Sequence, residues 1–238
     1  KLGDEGVLAM VCDSTNVLRE GFSPSESDVA ATIADIVKHA KGRVAITTFA
    51  SHVERVASAV RAARANGREV VLAGRAMRNT IEAARACGYL RDAGEFLDEE
   101  SFGYLPVNKI MLLCTGSQGE PMSALALMAQ RNNRWLEINA DDTVILSSHP
   151  IPGNEMNVSK VIDGLVRLGA EVVHSGISDV HASGHAKQEE LKTLLSIARP
   201  LCFSIAGPLA GYLTVRTGER KAATFGTLAI ASSMIGMS

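Results

Sequence analysis

"KIMLLCTGSQGEPMSAL", residues 109–125, decides how this chain is read. After Lys109 the residues Ile-Met-Leu-Leu-Cys are apolar without alternation, as in a strand covered on both faces. A Gly-x-x-Gly turn follows, and then Pro121, which suits the first turn of a helix over residues 122–130. Strand, glycine turn and helix in that order are the repeating unit of a parallel α/β sheet. Backbone N–H groups in such a turn can face a phosphate, helped by the helix dipole. The stretch is neither the P-loop nor the dinucleotide fingerprint, because Lys-Ser/Thr and the third glycine are absent. Glu120 would repel a phosphate, so its carboxylate suits a cation, a ribose hydroxyl or a neighbouring loop.

The same unit recurs on both sides. Continuous apolar runs at 7–13, 43–50, 69–74, 109–116, 143–148, 171–176 and 201–207 predict strands. Amphipathic patterns at 27–41, 52–66, 79–87, 122–130, 154–168 and 187–197 predict helices. "SHVE" spaces Ser51 and Glu54 as a capping box. "SPSESD" offers Ser23 with Glu26, or Ser25 with Asp28. Gly42, Gly67, Gly88 and Gly169 stand where helices should end. The fold class expected is α/β, a mostly parallel sheet flanked by helices.

Composition bounds the function. The 238 residues are 46% hydrophobic but only 4% aromatic, with Trp135 the single tryptophan, so small aliphatic residues must fill the core. The net charge of −2 argues against gripping nucleic acid by bulk electrostatics and confines such binding to a local groove. The cysteines, Cys12, Cys87, Cys114 and Cys202, form no C-x-x-C pair, which argues against a cysteine zinc site. Cys12, Cys114 and Cys202 lie in apolar runs and read as small buried hydrophobes. A reduced, cytoplasmic protein without membrane span or signal peptide is expected. The start, "KLGDEGVLAMVCD", has no Met and is expected to lie inside a longer protein.

Six polar, glycine-rich segments fall at or near strand ends: 13–16, 47–52, 73–77, 114–121, 147–155 and 181–186. In a parallel sheet such loops gather on one edge, where ligands of open α/β folds bind. "DSTN" places Asp13 to orient a histidine or bind a metal, or simply to form an Asx turn. "GRAMRN" puts Arg75 and Arg78 past a strand, as forked phosphate donors or as a solvated helix start. "PIPGNE" reads as a rigid turn into a helix capped near Asn154. In "VHASGHAKQEEL", His181 and His185 are four apart. On a helix they would suit zinc, but Gly184 is a poor helix former and the helical pattern begins only near Lys187. Both therefore read as loop residues before a helix N-terminus. Ser183 and Gly184 let the backbone approach an anion, and His185 is suited to acid–base work.

The motifs "GVLAMVCDSTN", "TTFASHVERV", "GRAM", "TGSQGEPMSAL", "HPIPGNE" and "VHASGHAKQEEL" together resemble bacterial ribonuclease J, a β-CASP member of the metallo-β-lactamase-fold nucleases. The resemblance runs from about Gly3 to about Ser204. It implies cleavage of single-stranded RNA, internally and 5′-to-3′ from a monophosphorylated end. It also implies two zinc ions in the complete enzyme and a homo-oligomer, dimer or tetramer. By resemblance Asp13 and His185 are catalytic residues near the scissile phosphate. His181, Ser183, Gly184, Ser117, Gln118, Gly119, Glu120, Arg75 and Ser51 are implied as RNA or phosphate contacts.

The chain also departs from the family. The His-x-His-x-Asp-His metal motif is absent and is expected upstream of Lys1. The late Pro-Ile-His-Gly-Glu motif is replaced by "SIAGPLAGYL", with Ala206 and Pro208 where His and Glu are expected. The domains expected are the end of a metallo-β-lactamase segment (1–20), the β-CASP domain (21–150), a return into the metallo-β-lactamase fold (151–204) and an atypical tail (205–238). The alternatives are a nucleotide-binding module and a non-catalytic RNA-binding or oligomerisation fragment. Titration with NAD, ATP and 5′-phosphorylated RNA separates them. This chain alone is expected to hold no stoichiometric zinc pair and to cleave RNA little. Metal analysis finding two tightly held zincs per chain would contradict that.

Overall fold

The computed structural model describes residues 12–197. The strand expected at 201–207, most of that at 7–13, Cys202 and the departures after Ser204 lie outside the described residues. Among the described residues the elements are α1 (Glu26–His39), β1 (Val44–Thr47), α2 (Val53–Ala65), β2 (Glu69–Ala73), α3 (Arg75–Ala86), β3 (Ile110–Cys114), α4 (Ala124–Ala129), β4 (Thr143–Leu146), α5 (Glu155–Arg167), β5 (Glu171–His174) and α6 (Gln188–Ile197). Short 3-10 turns cross from α3 to β3.

One sheet has the order β2-β3-β1-β4-β5, with all pairings parallel. Strand residues alternate between two faces, and both faces are covered. Val44, Ile46, Val70, Leu72, Met111 and Leu113 pack against α1, α2 and α3 through residues such as Val29, Ile33, Val56, Ala59, Met77 and Ile81. Ala45, Val71, Ile110, Leu112, Val144 and Leu146 pack on the other face against Leu125 of α4 and Val158, Val161 and Leu165 of α5. This two-sided burial explains the apolar runs without alternation.

α1 begins with the second of the two expected boxes. Ser25 Oγ accepts from Asp28 N at 3.1 Å, and Asp28 accepts from Ser25 N at 2.9 Å. The box expected at Ser51 and Glu54 does not form. His52 is the N-cap of α2, without a side-chain bond, and Glu54 pairs with Arg61 instead. Pro121 precedes α4 rather than starting it, because Ser123 is the cap, its Oγ accepting from Ala126 N. α3 starts at Arg75, a turn before the expected 79, so "GRAM" is helix and not loop. Gly67, Gly88 and Gly169 follow helices in the left-handed conformation expected, whereas Gly42 does not.

The described chain falls into two compact units, Pro24–Ser183 and the segments flanking it. The division expected at 150/151 is not present there, because β5 continues the ladder from β4. In the flanking unit the "DSTN" segment meets the start of α6. Asn16 bridges Lys187, and Gln188 N and Glu189 N donate to the carbonyls of Arg19 and Gly21. Glu190 accepts from Lys187 N at 2.7 Å and from Ser23 Oγ at 2.9 Å. Cys12 is exposed rather than buried, while Cys114 is buried in β3 as expected. No helix among the described residues is long and apolar enough to cross a membrane.

Gly119 is the tightest point of the 114–121 loop. It has φ +69°, and a Cβ there would lie 2.5 Å from the carbonyl carbon of Asn157 at the start of α5. Gly119→Ala is expected to cost about 2 kcal/mol or more. Urea unfolding checks this; coincident midpoints for variant and parent would contradict it.

Candidate functional site

In an open parallel sheet the ligand crevice lies beyond the strand carboxyl ends, where neighbouring connections depart in opposite directions. β1 and β4 are such neighbours, since β1 leads through α2 to β2 and β4 leads through α5 to β5 on the other side. Their loops, 48–52 and 147–154, therefore flank the crevice of the Pro24–Ser183 unit.

That crevice contains a polar cluster. Arg55, fully buried on the first turn of α2, forks onto Glu26 with Nε at 3.0 Å and Nη2 at 2.7 Å. His52 Nε2 stands 3.6 Å from the same carboxylate. His181 stacks on His149 with ring centroids 6.3 Å apart. His149 Nδ1 pairs with Ser175 Oγ at 2.9 Å. Burial first, then the charges of Arg55 and His149, lower the His181 pKa from 6.5 to about 4. Its ring is therefore neutral at physiological pH.

The 114–121 loop is braced from within. Gln118 is buried; its Nε2 donates to His149 O at 3.0 Å and its Oε1 accepts from Ile151 N at 2.8 Å. Ser117 is buried, and its carbonyl accepts from Ser148 Oγ at 3.2 Å. Gly119 N donates to Gly116 O, and Gln118 N to the Glu120 carboxylate. These N–H groups stabilise the turn, so the open phosphate cradle expected from Gly-x-x-Gly is not what they form. The contact that Glu120 makes is none of the three expected, since its carboxylate accepts from Gln118 N inside its own loop. Beside this loop lies an open cleft of about 520 Å³ lined by Phe49, Ala76, Gly116, Pro121 and Met122. Arg75 is exposed at the start of α3 and Ser51 is exposed before α2. Arg78 is committed to Asp98, to Glu99 at 3.1 Å and to the carbonyl of Leu72.

In the flanking unit the structure brings Asp13 and His185 together. His185 Nδ1 is paired with Asp13 Oδ2. Asp13 Oδ1 accepts from Thr15 N at 2.7 Å. The His185 carbonyl accepts from Asn16 Nδ2 at 3.0 Å and Ser23 Oγ at 3.3 Å. Asp13, Thr15 and Asn16 of "DSTN" thus all help to hold the pair. His181 and His185 both precede α6 and lie outside any helix, so the loop reading is the one found. A Cβ on Gly184 would meet nothing within 4 Å.

Sequence reasoning missed Glu26, His52, Arg55 and His149. One signal was available for Arg55. It precedes Ala59 by four and Ala62 by seven, which puts a cation on the buried stripe of α2.

Hydrogen bonds from the Thr15 side chain and backbone, then from His185, lower the Asp13 pKa from 3.8 to about 2. Whatever the depressed value contributes to stability is therefore complete above 3.8 and lost as pH falls through about 2. NMR titration should give Asp13 a midpoint near 2, and Thr15→Ala should raise it towards 3.8. An ordinary midpoint in the parent would contradict this arrangement.

Residues 41–165 match the family model of the ribonuclease J β-CASP domain. Over 200 residues the chain is 44% identical to ribonuclease J of Sinorhizobium meliloti, covering 84% of this chain and 36% of that protein. It is 44% identical to ribonuclease J of Thermus thermophilus over 84% of this chain and 35% of the relative. It is 39% identical to ribonuclease J2 of Bacillus subtilis over 84% and 36%. The chain spans about a third of the length of these curated relatives. A family model covering more than half of its residues, on a parallel sheet whose loops carry the matching motifs, means that the chain belongs to the ribonuclease J family and contains its β-CASP domain.

Proposed function

We propose that this chain is the RNA-handling part of a metal-dependent ribonuclease acting on single-stranded RNA. The observation that carries the reading is the Asp13–His185 pair, pinned through the main chain of His185 by Asn16 and Ser23. The alternatives, a nucleotide-binding module or a non-catalytic scaffold, do not need such a pair.

Asp13 remains a carboxylate and accepts the Nδ1–H of His185, which fixes the tautomer and the plane of the ring. With a second proton on Nε2, the imidazolium addresses a phosphodiester through that N–H, donating a hydrogen bond to a non-bridging oxygen or passing the Nε2 proton to the leaving oxygen. Gly184, with room at its Cα, lets the phosphate approach the backbone beside Ser183. In the other unit, Arg75 and Ser51 offer exposed donors for RNA phosphates. The cleft beside Phe49 and Met122 offers an apolar bed for a base. Ser117, Gln118 and Gly119 act by shaping that loop, and neutral His181 by hydrogen bonding rather than charge.

The resemblance implies two zinc ions. Among the described residues no group of three or more His, Cys, Asp or Glu is placed to hold a metal ion. The described residues do not by themselves fit the pair of ions. A preference for 5′-monophosphorylated RNA and assembly as a homo-oligomer belong to the same proposal.

In the full-length enzyme, His185→Ala is expected to lower turnover of 5′-monophosphorylated RNA about 100-fold while leaving zinc content unchanged. Steady-state kinetics with parallel metal analysis tests this. Zinc lost in step with activity would make His185 a ligand and overturn the assignment.

A further inference from the structure

A buried guanidinium is tolerated only where its N–H groups are paired, and the partners of Arg55 are unusual in their location. Besides the fork onto Glu26, Nη1 donates to the carbonyls of Ser147 at 3.3 Å and Val180 at 2.9 Å and to Ser147 Oγ. Ser147 Oγ in turn donates to Val180 O at 2.6 Å. None of these partners lies in a strand. Glu26 opens α1, Ser147 follows β4, and Val180 immediately precedes His181. An apolar side chain of similar volume would fill the space but leave two buried carbonyls without these donors. Lysine would keep the charge but cannot fork.

The same side chain acts on His181 electrostatically. The groups facing that ring are Arg55 and His52 from α2, Glu26 from α1 and His149 from the loop after β4. Arg55 and His149 act with burial to hold it neutral.

We propose that Arg55 is a positioning residue for RNA recognition: by tying α1, the 147–149 loop and Val180 together it fixes the His181 ring against His149, where RNA is received. This rests on the ribonuclease reading above. Arg55 bonds no residue within a strand, so its effect falls chiefly on the geometry of these loops.

The test compares Arg55→Lys, Arg55→Met and Ser147→Ala with the parent in the full-length protein. Hydrogen exchange over residues 178–182, the His181 titration followed by histidine C2 exchange, and affinity for a 5′-monophosphorylated oligonucleotide are read together. Arg55→Lys should speed exchange over 178–182 and weaken RNA binding about tenfold or more, as expected for a misplaced contact, with the His181 midpoint still low. Arg55→Met should also move that midpoint up from about 4 towards 6.5. Ser147→Ala should speed exchange in a protein that melts close to the parent. A lowered melting midpoint with exchange, titration and RNA affinity all unchanged would overturn the proposal. If Arg55→Met does not fold, the other two variants decide. If the parent binds no RNA, the ribonuclease reading fails, while exchange and titration at His181 still decide whether Arg55 positions it.

Discussion

Parallel pairing is the constraint on which the rest of the structure depends. Strands that run the same way must be joined by crossovers, and each crossover delivers a loop to the same edge of the sheet. With the order β2-β3-β1-β4-β5, the loops after β1 and β4 part from each other at that edge. Residues far apart in sequence then meet: Glu26, Arg55, Ser147 and Val180 share one set of hydrogen bonds. Both sheet faces are occupied by helices, so this edge is where polar chemistry can be placed without disturbing the core.

Placing a charge in that edge is costly, and the cost explains the local architecture. Removing one partner of a buried pair typically costs about 3–5 kcal/mol. Arg55 avoids this by engaging Glu26 and two carbonyls, and Glu26 is itself partly solvated. His181 is neutral first because it is buried and then because the Arg55 cation lies beside it. Asp13 in the flanking unit shows the opposite case, an exposed carboxylate kept ionised by hydrogen bonds from Thr15 and His185. One histidine is made a neutral hydrogen-bonding group, and the other is bound to a permanent anion.

Much of this was legible in the sequence, for physical reasons. Strands buried on both faces are apolar throughout, so all five appear in the sequence within a few residues. Their carboxyl ends were overrun, as at Thr48–Ala50 and Ser147–Ser148, because several residues leaving the ladder are still buried. The strand order was not legible, since parallel neighbours leave no local pairing signal. Asp13 and His185 were singled out through the family motifs, and the structure pairs them, with Asn16 donating to the His185 carbonyl. In the Gly-x-x-Gly turn two N–H groups are engaged inside the loop, Gln118 N by the Glu120 carboxylate and Gly119 N by Gly116 O, which the glycine spacing alone does not reveal. Arg55 was missed because an arginine in an amphipathic helix looks like surface until its neighbours are placed.

The central claim is that RNA is received at the carboxyl edge of this sheet, beside the stacked His149 and His181. Photocrosslinking in the full-length protein tests it most directly, using a 5′-monophosphorylated oligonucleotide with 4-thiouridine near its 5′ end. The account predicts crosslinked peptides from the loops around Phe49, Arg75, Met122 and His149 and from the peptide carrying His181. Crosslinks confined to the opposite edge of the sheet, around Arg43, Arg68 and Asp142, would contradict it.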